Sequence, residues 1–400
     1  MYNPLRFPDD QVPWPIPVTP GGPIGPRDHV GHIEQYHRLR DGVATGQVGV
    51  LLTGDRRQGK TSDLNLLEAV LDEDDDFRVL RISAETADRE VLASRLREKV
   101  RTATWLGKEA ERWALDLDVT FKGFHLRRTG GTRRAEPRPP EADDLLVLAA
   151  RQVAPRRLVV IVDEITVFLQ ALADEDADGA MEFLRSLRRA RQDGADNLSV
   201  VLSGSMGLHH VVPTMQAVND LLPVRVGRLT DDEATFLARC LILGAGIETE
   251  DERALASGMA DAADAGAFYL HHIADQLSRL HRTATPADAH AAIQRLLDDP
   301  DDPLDFRHYR DRLGLYYGPD AELAGQLLDA FATTDAAFLS TDAAVNMLTA
   351  TVGERPDRER VASVLERLEQ DHYLEPVDGG SAFTSSLLRR AWIVVRRLHR

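Results

Sequence analysis

The chain has 400 residues, of which 43% are hydrophobic and 28% charged, and its formal net charge is −17. This length predicts two to three domains with ample core, and the composition is typical of a soluble globular protein. The acidic balance argues against a protein whose main task is to coat nucleic acid or an anionic membrane, and the single cysteine, Cys240, excludes a disulfide within one chain.

The first segment, residues 1–29, is rich in proline and shows little hydrophobic periodicity. This pattern predicts an extended lead-in that lies on the surface. It contains no basic-then-apolar signal pattern. The longest charge-free stretch of the chain, Leu198–Asn219, is too polar and too broken by glycine and proline to span a bilayer. We therefore expect a cytoplasmic protein without a membrane span.

The next elements lead to the most informative segment of the chain. Helical spacing over Val30–Ala44 is followed by a short apolar strand predicted at Val48–Leu52. The segment Val50–Ser62, VLLTGDRRQGKTS, then carries the pattern G-x-x-x-x-G-K-[ST] of a phosphate-binding loop, and apolar residues at helical spacing follow it. The predicted nucleotide-binding residues are Gly54, Asp55, Arg56, Arg57, Gln58, Gly59, Lys60, Thr61 and Ser62.

Phosphate chemistry accounts for the residue types in this loop. Gly54 and Gly59 permit backbone torsions that let successive N–H groups point at phosphate oxygens, and the following helix adds its own free N–H groups. Lys60 would reach the β- and γ-phosphates, and the Thr61 hydroxyl would ligate Mg²⁺. The alternative is a chance match, but Lys60 is one of only four lysines in a chain whose basic residues are almost all arginine.

The segment between the loop and the next motif has mixed patterns. Phe77–Ser83 predicts a second strand, and a helix is predicted from about Asp88 to Ala110. Ala114–Leu126 alternates apolar and polar residues, which indicates a strand or hairpin, and Arg127–Pro140 predicts a loop. A helix over Glu141–Val153 completes the segment.

The second chemical motif is RLVVIVDE, residues 157–164. Leu158–Val162 is continuously apolar and rich in β-branched residues, as in a central parallel strand buried on both faces. The strand ends in Asp163, which can hold the Mg²⁺ shell, and Glu164, which can polarise an attacking water. The alternative is a strand that ends in a solvated acidic pair.

Two further strands follow, at Leu198–Leu202 and Pro223–Gly227. The first ends at Ser203, whose side chain is predicted to lie beside the γ-phosphate and report its presence. Ser205 is the second candidate, and an ordinary serine cap on a loop is the alternative. The neighbouring His209 and His210 have no cysteine or acidic partner at ligand spacing, so no metal site is predicted there.

The remainder of the chain is predicted to be mainly helical. Thr230 and Glu233 form a capping box at a helix start. After residue 300, helices are predicted at Asp320–Ala332, Thr341–Thr351 and Asp357–Gln370, then a hairpin around Asp378 and a final helix. Three helices followed by a hairpin is the winged-helix order.

The third helix of that region is the candidate for reading DNA. Its outer residues include Arg358, Arg360 and Arg367, but acidic residues are interspersed among them. The surface is therefore not basic, and the electrostatic contribution that dominates DNA affinity is weak. The arginines of the final helix could bind phosphate, touch a membrane surface, or only solvate a packed helix.

In order, these motifs resemble an AAA+-related signal-transducing ATPase of the STAND type, similar to the archaeal-type ATPase family and its bacterial relatives, which in turn resemble origin-recognition initiators. The resemblance covers nearly the whole chain. It rests on the loop GDRRQGKTS, on LSGS at 202–205, and on HVGHIEQ, FRHYRDRL and FTSSLLRRAW. The chain departs from the family at His32, which replaces the box arginine, and at Gly266–Tyr269, which lacks the lid histidine and proline.

The resemblance implies an α/β P-loop NTPase core with a parallel five-stranded sheet, a helical lid and a C-terminal winged-helix domain. The expected division is a lead-in at 1–29, a core at 30–229, a lid at 230–300 and a winged helix at 301–400. It implies binding of ATP or ADP with Mg²⁺, and slow or stimulated hydrolysis that repositions the winged helix.

In that reading Lys60, Glu164 and Ser203 are the catalytic residues, and Thr61 and Asp163 hold the metal. We expect a protein partner or self-association through the core or the winged helix, whereas DNA is possible but not favoured. Two other hypotheses remain open: a DNA-binding initiator that uses ATP as a loading signal, and a nucleotide-locked scaffold without turnover.

Overall fold

The structure is a computed structural model that describes residues 12–45, 49–85, 89–103, 142–175, 178–193, 197–205, 210–211 and 218–398. The predictions at Ala114–Leu126, Arg127–Pro140 and His209 lie outside these residues. The chain forms two compact units, the first containing Pro23–Val226 and the second containing the part of the lead-in that ends at Gly22 together with Gly227–Arg400. No helix in the described ranges combines the length and apolar character needed to cross a membrane.

The first unit is an α/β unit built on one sheet. Its strands are β1 Val50–Thr53, β2 Phe77–Ser83, β3 Arg157–Asp163, β4 Leu198–Gly204 and β5 Leu222–Arg225. Its helices are α1 Ile33–Thr45, α2 Lys60–Asp72, α3 Arg89–Thr102, α4 Ala142–Val153, α5 Ile165–Glu175 and α6 Gly179–Asp193.

All five strands run parallel in the order β2-β3-β4-β1-β5. The two strands with the longest apolar runs, β3 and β4, lie inside the sheet, and every residue from Leu158 to Asp163 is buried. Leu158, Val160 and Val162 share one hydrophobic core with side chains such as Phe168 of α5 and Leu184 of α6. The predicted parallel five-stranded sheet is therefore confirmed, with the continuous apolar runs in its interior, where both faces are covered.

The second unit is mainly helical. Its helices are α7 Asp231–Ala245, α8 Glu252–Ala262, α9 Ala267–Ser278, α10 Pro286–Asp298, α11 Arg307–Tyr316, α12 Ala321–Thr333, α13 Thr341–Val352, α14 Arg358–Gln370 and α15 Ser386–Arg396. The capping box predicted at the start of α7 is present: the Glu233 backbone N–H donates to Thr230 Oγ1 at 3.2 Å, and the Thr230 N–H donates to Glu233 Oε2 at 2.9 Å. This pair of bonds fixes the helix start.

The predicted order of three helices and a hairpin is observed at the end of the chain. Helices α12, α13 and α14 are followed by the antiparallel hairpin of β6 Leu374–Val377 and β7 Gly380–Phe383. A backbone bridge between Leu339 and Ser381 ties the hairpin to the segment before α13. The final helix is fixed by Trp392, which is buried and donates from Nε1 to Asp329 of α12 at 2.8 Å.

The lead-in differs from the surface segment that was predicted. It is extended, but Ile16 is fully buried, and its N–H donates to the carbonyl oxygen of Cys240 at 3.2 Å. Gly244 permits this approach, because a Cβ on it would lie 1.8 Å from the Ile16 carbonyl oxygen. Proline prevents regular structure without preventing burial, so apolar residues between prolines can dock on a helix. Burial in this region raises the pKa of the Cys240 thiol to about 11.

Candidate functional site

The phosphate-loop segment has the backbone that its glycines were predicted to provide. Gly54, Arg57 and Gly59 have φ values of 151°, 70° and 98°, and Gly59 is the N-cap residue of α2. A Cβ on Gly54 would lie 2.2 Å from the carbonyl oxygen of Val226, so no other residue fits without backbone movement. At Gly54, both the backbone torsion and the lack of space for a Cβ therefore require glycine.

The Lys60 side chain folds back into its own loop and bonds to the loop's backbone. Its side chain is nearly buried, and Nζ donates to the carbonyl oxygens of Gly54 and Asp55, both at 2.8 Å. Thr61 follows in the first turn of α2 and is half-buried. The loop therefore brings an ammonium group, a hydroxyl group and a helix N-terminus together, which is a combination suited to an anion.

The other predicted loop residues occupy different environments. Asp55 is buried, Arg56 is exposed, and Arg57 and Gln58 are half-buried. Ser62 is buried, and its Oγ accepts a hydrogen bond from the Ile24 N–H at 3.0 Å. Ser62 therefore anchors the lead-in to α2.

The register of β3 and β4 brings Asp163 and Ser203 together. Ser203 is completely buried, and its Oγ donates to Asp163 Oδ1 at 2.9 Å. The Glu164 backbone N–H donates to the same oxygen at 3.1 Å. The γ-phosphate-sensing role of Ser203 remains a prediction, and any such effect would pass through the Asp163 carboxylate that its hydroxyl orients.

Glu164 lies between the end of β3 and the start of α5. Its φ is 55°, a left-handed conformation that is unfavourable for a residue with a Cβ. The side chain is half-buried, and Oε2 accepts a hydrogen bond from Ser205 Oγ at 3.0 Å. Backbone outliers of this kind are concentrated at functional sites, which is consistent with the predicted role of this carboxylate.

Arg81 is the main participant that the sequence analysis missed. From β2, Nη2 donates to Asp163 Oδ2 at 2.9 Å, while Nη1 donates to Asn65 Oδ1 at 2.6 Å and Glu68 Oε2 at 3.2 Å. Only 13% of its side chain is exposed. Arg81 therefore links helix α2, which begins at Lys60, to the carboxylate at the end of β3. Arg81 lies in a strand in which polar and apolar residues alternate, and nothing in that pattern indicates a contact with Asp163.

A second group missed in the sequence consists of His29, His32 and Asp63. His29 Nε2 and His32 Nδ1 lie 2.7 Å and 3.3 Å from Asp63 Oδ1, and all three residues are buried. Burial acts to raise the pKa of Asp63, but the charges and hydrogen bonds of the two histidines outweigh it and hold that pKa below its usual value. The H-x-x-H spacing was visible in the sequence, but nothing marked its partner.

The donor set at the sheet edge suits Mg²⁺. Asp163 supplies carboxylate oxygens and Thr61 a hydroxyl, which are the hard oxygen ligands that this ion prefers. In the structure Asp163 Oδ2 is held by the cationic guanidinium of Arg81. The donor types therefore fit the ion, and Mg²⁺ would share the Asp163 carboxylate with Arg81.

The arginines of α14 are engaged in ion pairs. Arg358 Nε donates to Asp342 at 2.7 Å, and Arg360 Nε donates to Asp320 at 2.7 Å. Arg367 also bonds to Asp320. Each of these arginines therefore has a carboxylate partner within the second unit, and whether this surface binds DNA stays a prediction.

Comparisons with known proteins give similarity at the level of structure. No protein-family model matches the chain, and no curated protein matches it. The Walker-type ATPase PABY2304 of Pyrococcus abyssi superposes with a TM-score of 0.62 and 18% identity, covering 92% of this chain and 97% of the other. The Aeropyrum pernix ORC2 protein, in its ADPNP and ADP complexes, gives a TM-score of 0.51 and 13% identity, covering 91% of each chain.

At these identities the comparisons establish the fold. The chain has the fold of these two structures, a parallel α/β sheet unit followed by a mainly helical unit. The fold class predicted from the sequence is therefore confirmed, and the predicted resemblance is confirmed as a likeness of fold.

Proposed function

We propose that this protein is an Mg-ATP-binding ATPase that acts as a molecular switch. The observation that carries the proposal is the junction at the carboxyl edge of the sheet. There, Lys60 is enclosed by its own loop, and the Asp163 carboxylate is oriented by Ser203 and Arg81. In parallel α/β sheets, ligands bind at this edge.

Each residue has a defined role in the proposal. Lys60 and the loop N–H groups neutralise the charge of the β- and γ-phosphates, and Thr61 and Asp163 hold Mg²⁺, which supplies charge neutralisation at the phosphate oxygens. Glu164 accepts a hydrogen bond from the attacking water and orients it. The remaining loop residues, Asp55, Arg56, Arg57, Gln58 and Ser62, shape the cradle.

The proposed switch role rests on the different partners of two neighbouring serines, Ser203 and Ser205. Ser203 is fixed on Asp163 in the core, whereas Ser205 is half-buried and bonded to Glu164. A water held by Glu164 would compete with Ser205 for the same oxygen. Nucleotide turnover would thus change the partner of Glu164, and we propose that this change repositions the winged-helix region, residues 301–400. The division into a core at 30–229 and a lid at 230–300 belongs to the same proposal.

The decisive experiment is analysis of nucleotide bound to the purified chain, together with phosphate release. Mg-ATP should raise the melting temperature of the wild-type chain, and Lys60→Ala should abolish that increase. Lys99→Ala is the matched control, because Lys99 is an exposed lysine of α3 to which no nucleotide role is assigned. Equal stabilisation of the Lys60 variant and the wild type would rule out this loop as the nucleotide site.

Turnover is tested separately from binding. Glu164→Gln keeps the size and hydrogen-bonding shape of the side chain but removes its basic carboxylate, so ATP binding should persist while phosphate release is lost. Phosphate release at the wild-type rate would eliminate Glu164 as the catalytic base. Tightly retained ADP without any release by the wild type would favour the scaffold hypothesis.

A DNA-binding initiator is the other candidate, and its support is the structural similarity to the ORC2 protein. Exposed ion pairs contribute only about 0–1 kcal/mol, so DNA phosphates could displace Asp342 and Asp320 from the α14 arginines. A salt-dependent gel shift that is lost in Arg358→Ala and Arg360→Ala would support this function. No shift at low salt, with and without ATP, would exclude it.

A further inference from the structure

We propose that His29, His32 and Asp63 form a binding site for a divalent transition-metal ion of the zinc class. The three candidate ligand atoms lie within 4.8 Å of one another. Two imidazoles and one carboxylate are a ligand set that proteins use for zinc and for related metals. This site is distinct from the Mg²⁺ site assigned to Thr61 and Asp163, which offers oxygen ligands.

The carboxylate of Asp63 provides an independent indication of a ligand. Asp63 is 1% exposed, and both histidines approach the same oxygen, Oδ1. Its second oxygen, Oδ2, is buried and has no hydrogen-bond partner among the described residues. A buried carboxylate oxygen without a partner carries a desolvation cost, which a bound cation would remove.

The separations are close to those of a metal site. Two ligands on a tetrahedral zinc ion, each about 2.0–2.1 Å from it, lie about 3.3 Å apart. His32 Nδ1 is already 3.3 Å from Asp63 Oδ1, whereas His29 Nε2 is at the hydrogen-bonding distance of 2.7 Å. Metal binding therefore requires His29 Nε2 to move slightly away from Asp63 Oδ1, and Asp63 Oδ2 is available as a further ligand atom.

Because its ligands are buried, the metal ion would have a structural role and not a catalytic one. His29 and His32 are 7% and 3% exposed, so a substrate cannot reach an open coordination position. The ion would instead tie the turn before α1 to helix α2. That turn is strained, because His32 has a φ of 54°. A Cβ on Gly59 would lie 3.1 Å from His32 Cε1, so the site adjoins the phosphate loop.

The test is metal binding by the full chain after treatment with a chelator. Zn²⁺ should bind with one-to-one stoichiometry in the presence of excess Mg²⁺ and without nucleotide, and Co²⁺ should give the intense visible absorption of tetrahedral coordination. His29→Gln preserves a donor for Asp63 but removes a ligand, so Zn²⁺ affinity should fall at least about 100-fold. His281→Gln is the matched control, because His281 is exposed.

Three results would overturn the proposal. They are no Zn²⁺ uptake by the wild type, the weak spectrum of octahedral Co²⁺, and uptake that is unchanged by His29→Gln. The Co²⁺ spectrum is measured on the wild type, so it decides the question even if a variant does not fold. The outcome is independent of nucleotide binding, because the measurement needs no ATP and is separate from the Lys60 test.

Discussion

Replacing Arg81 by methionine tests whether Arg81 holds the Asp163 carboxylate, the predicted metal ligand, in place. The Arg81 and Asp163 side chains are 13% and 9% exposed, and their atoms lie 2.9 Å apart. Removing one member of a buried ion pair typically costs 3–5 kcal/mol, because the remaining charge is left without compensation. Since neither side chain is fully buried and Ser203 continues to bond to Asp163, we expect a loss of about 3 kcal/mol.

The assay is hydrogen exchange under increasing urea, followed by mass spectrometry of peptides from β2 and β3. It reports the opening free energy of the first unit without interference from the second. Arg78→Met is the matched control on the same strand. Arg78 is 3.9 Å from Asp75, whose side chain is 98% exposed, so breaking that pair should cost well under about 1 kcal/mol.

A double-mutant cycle with Asp163→Asn isolates the pair itself. If the cost of Arg81→Met comes from the uncompensated carboxylate, most of it should disappear when Asp163 is already neutral. Equal costs of Arg81→Met in the two backgrounds would refute the reasoning, as would a loss no larger than that of Arg78→Met. Equal costs in the two backgrounds would assign the loss to the bonds of Arg81 with Asn65 and Glu68 instead of to its pair with Asp163.

Two further predictions concern acid stability and the loop backbone. Burial first, and then His272, lower the pKa of His271 from 6.5 to about 4, and its Nδ1 accepts the Thr19 N–H. As the pH falls, His271 is therefore protonated in the unfolded chain before it is protonated in the folded one. About 2 kcal/mol of the free energy of unfolding should be lost between pH 7.5 and pH 5 in urea titrations. An unchanged pH dependence in His271→Gln would contradict this. Gly54→Ala should cost more than about 2 kcal/mol of stability in the same assay, because the added Cβ meets the Val226 carbonyl oxygen. Gly25→Ala is the control and should be nearly neutral, because the space around Gly25 is open. Equal effects of the two substitutions would contradict the steric argument.

The sheet could be predicted because its interior strands have a pattern that few other structures produce. Leu158–Val162 and Leu198–Leu202 are continuously apolar, and the structure places them in β3 and β4, buried throughout. Patterns that depend only on local sequence, such as the Thr230 capping box and the loop glycines, were also recognisable. In each case the physical cause acts within a few residues or along one strand.

Contacts between distant parts of the chain could not be predicted in this way. Arg81 and Asp163 are 82 residues apart, and His29 and Asp63 are 34 apart. Their meeting depends on sheet register and on the path of the chain before α1, neither of which leaves a local pattern. The burial of Ile16 was missed for a similar reason, since proline content indicates an extended backbone but not what the backbone packs against.

These long-range contacts hold helix α2 from two sides. On one side Asp63 meets His29 and His32, and on the other Glu68 meets Arg81. A loop held in this way is preorganised, so little of the phosphate-binding energy would be spent on ordering it. A conformational response to nucleotide therefore has to arise outside α2. Among the predicted site residues Glu164 is the best placed to respond, because it is half-buried and strained. Within the part of the chain that the structure describes, its side chain is held by one hydrogen bond, from Ser205, which a water molecule can replace.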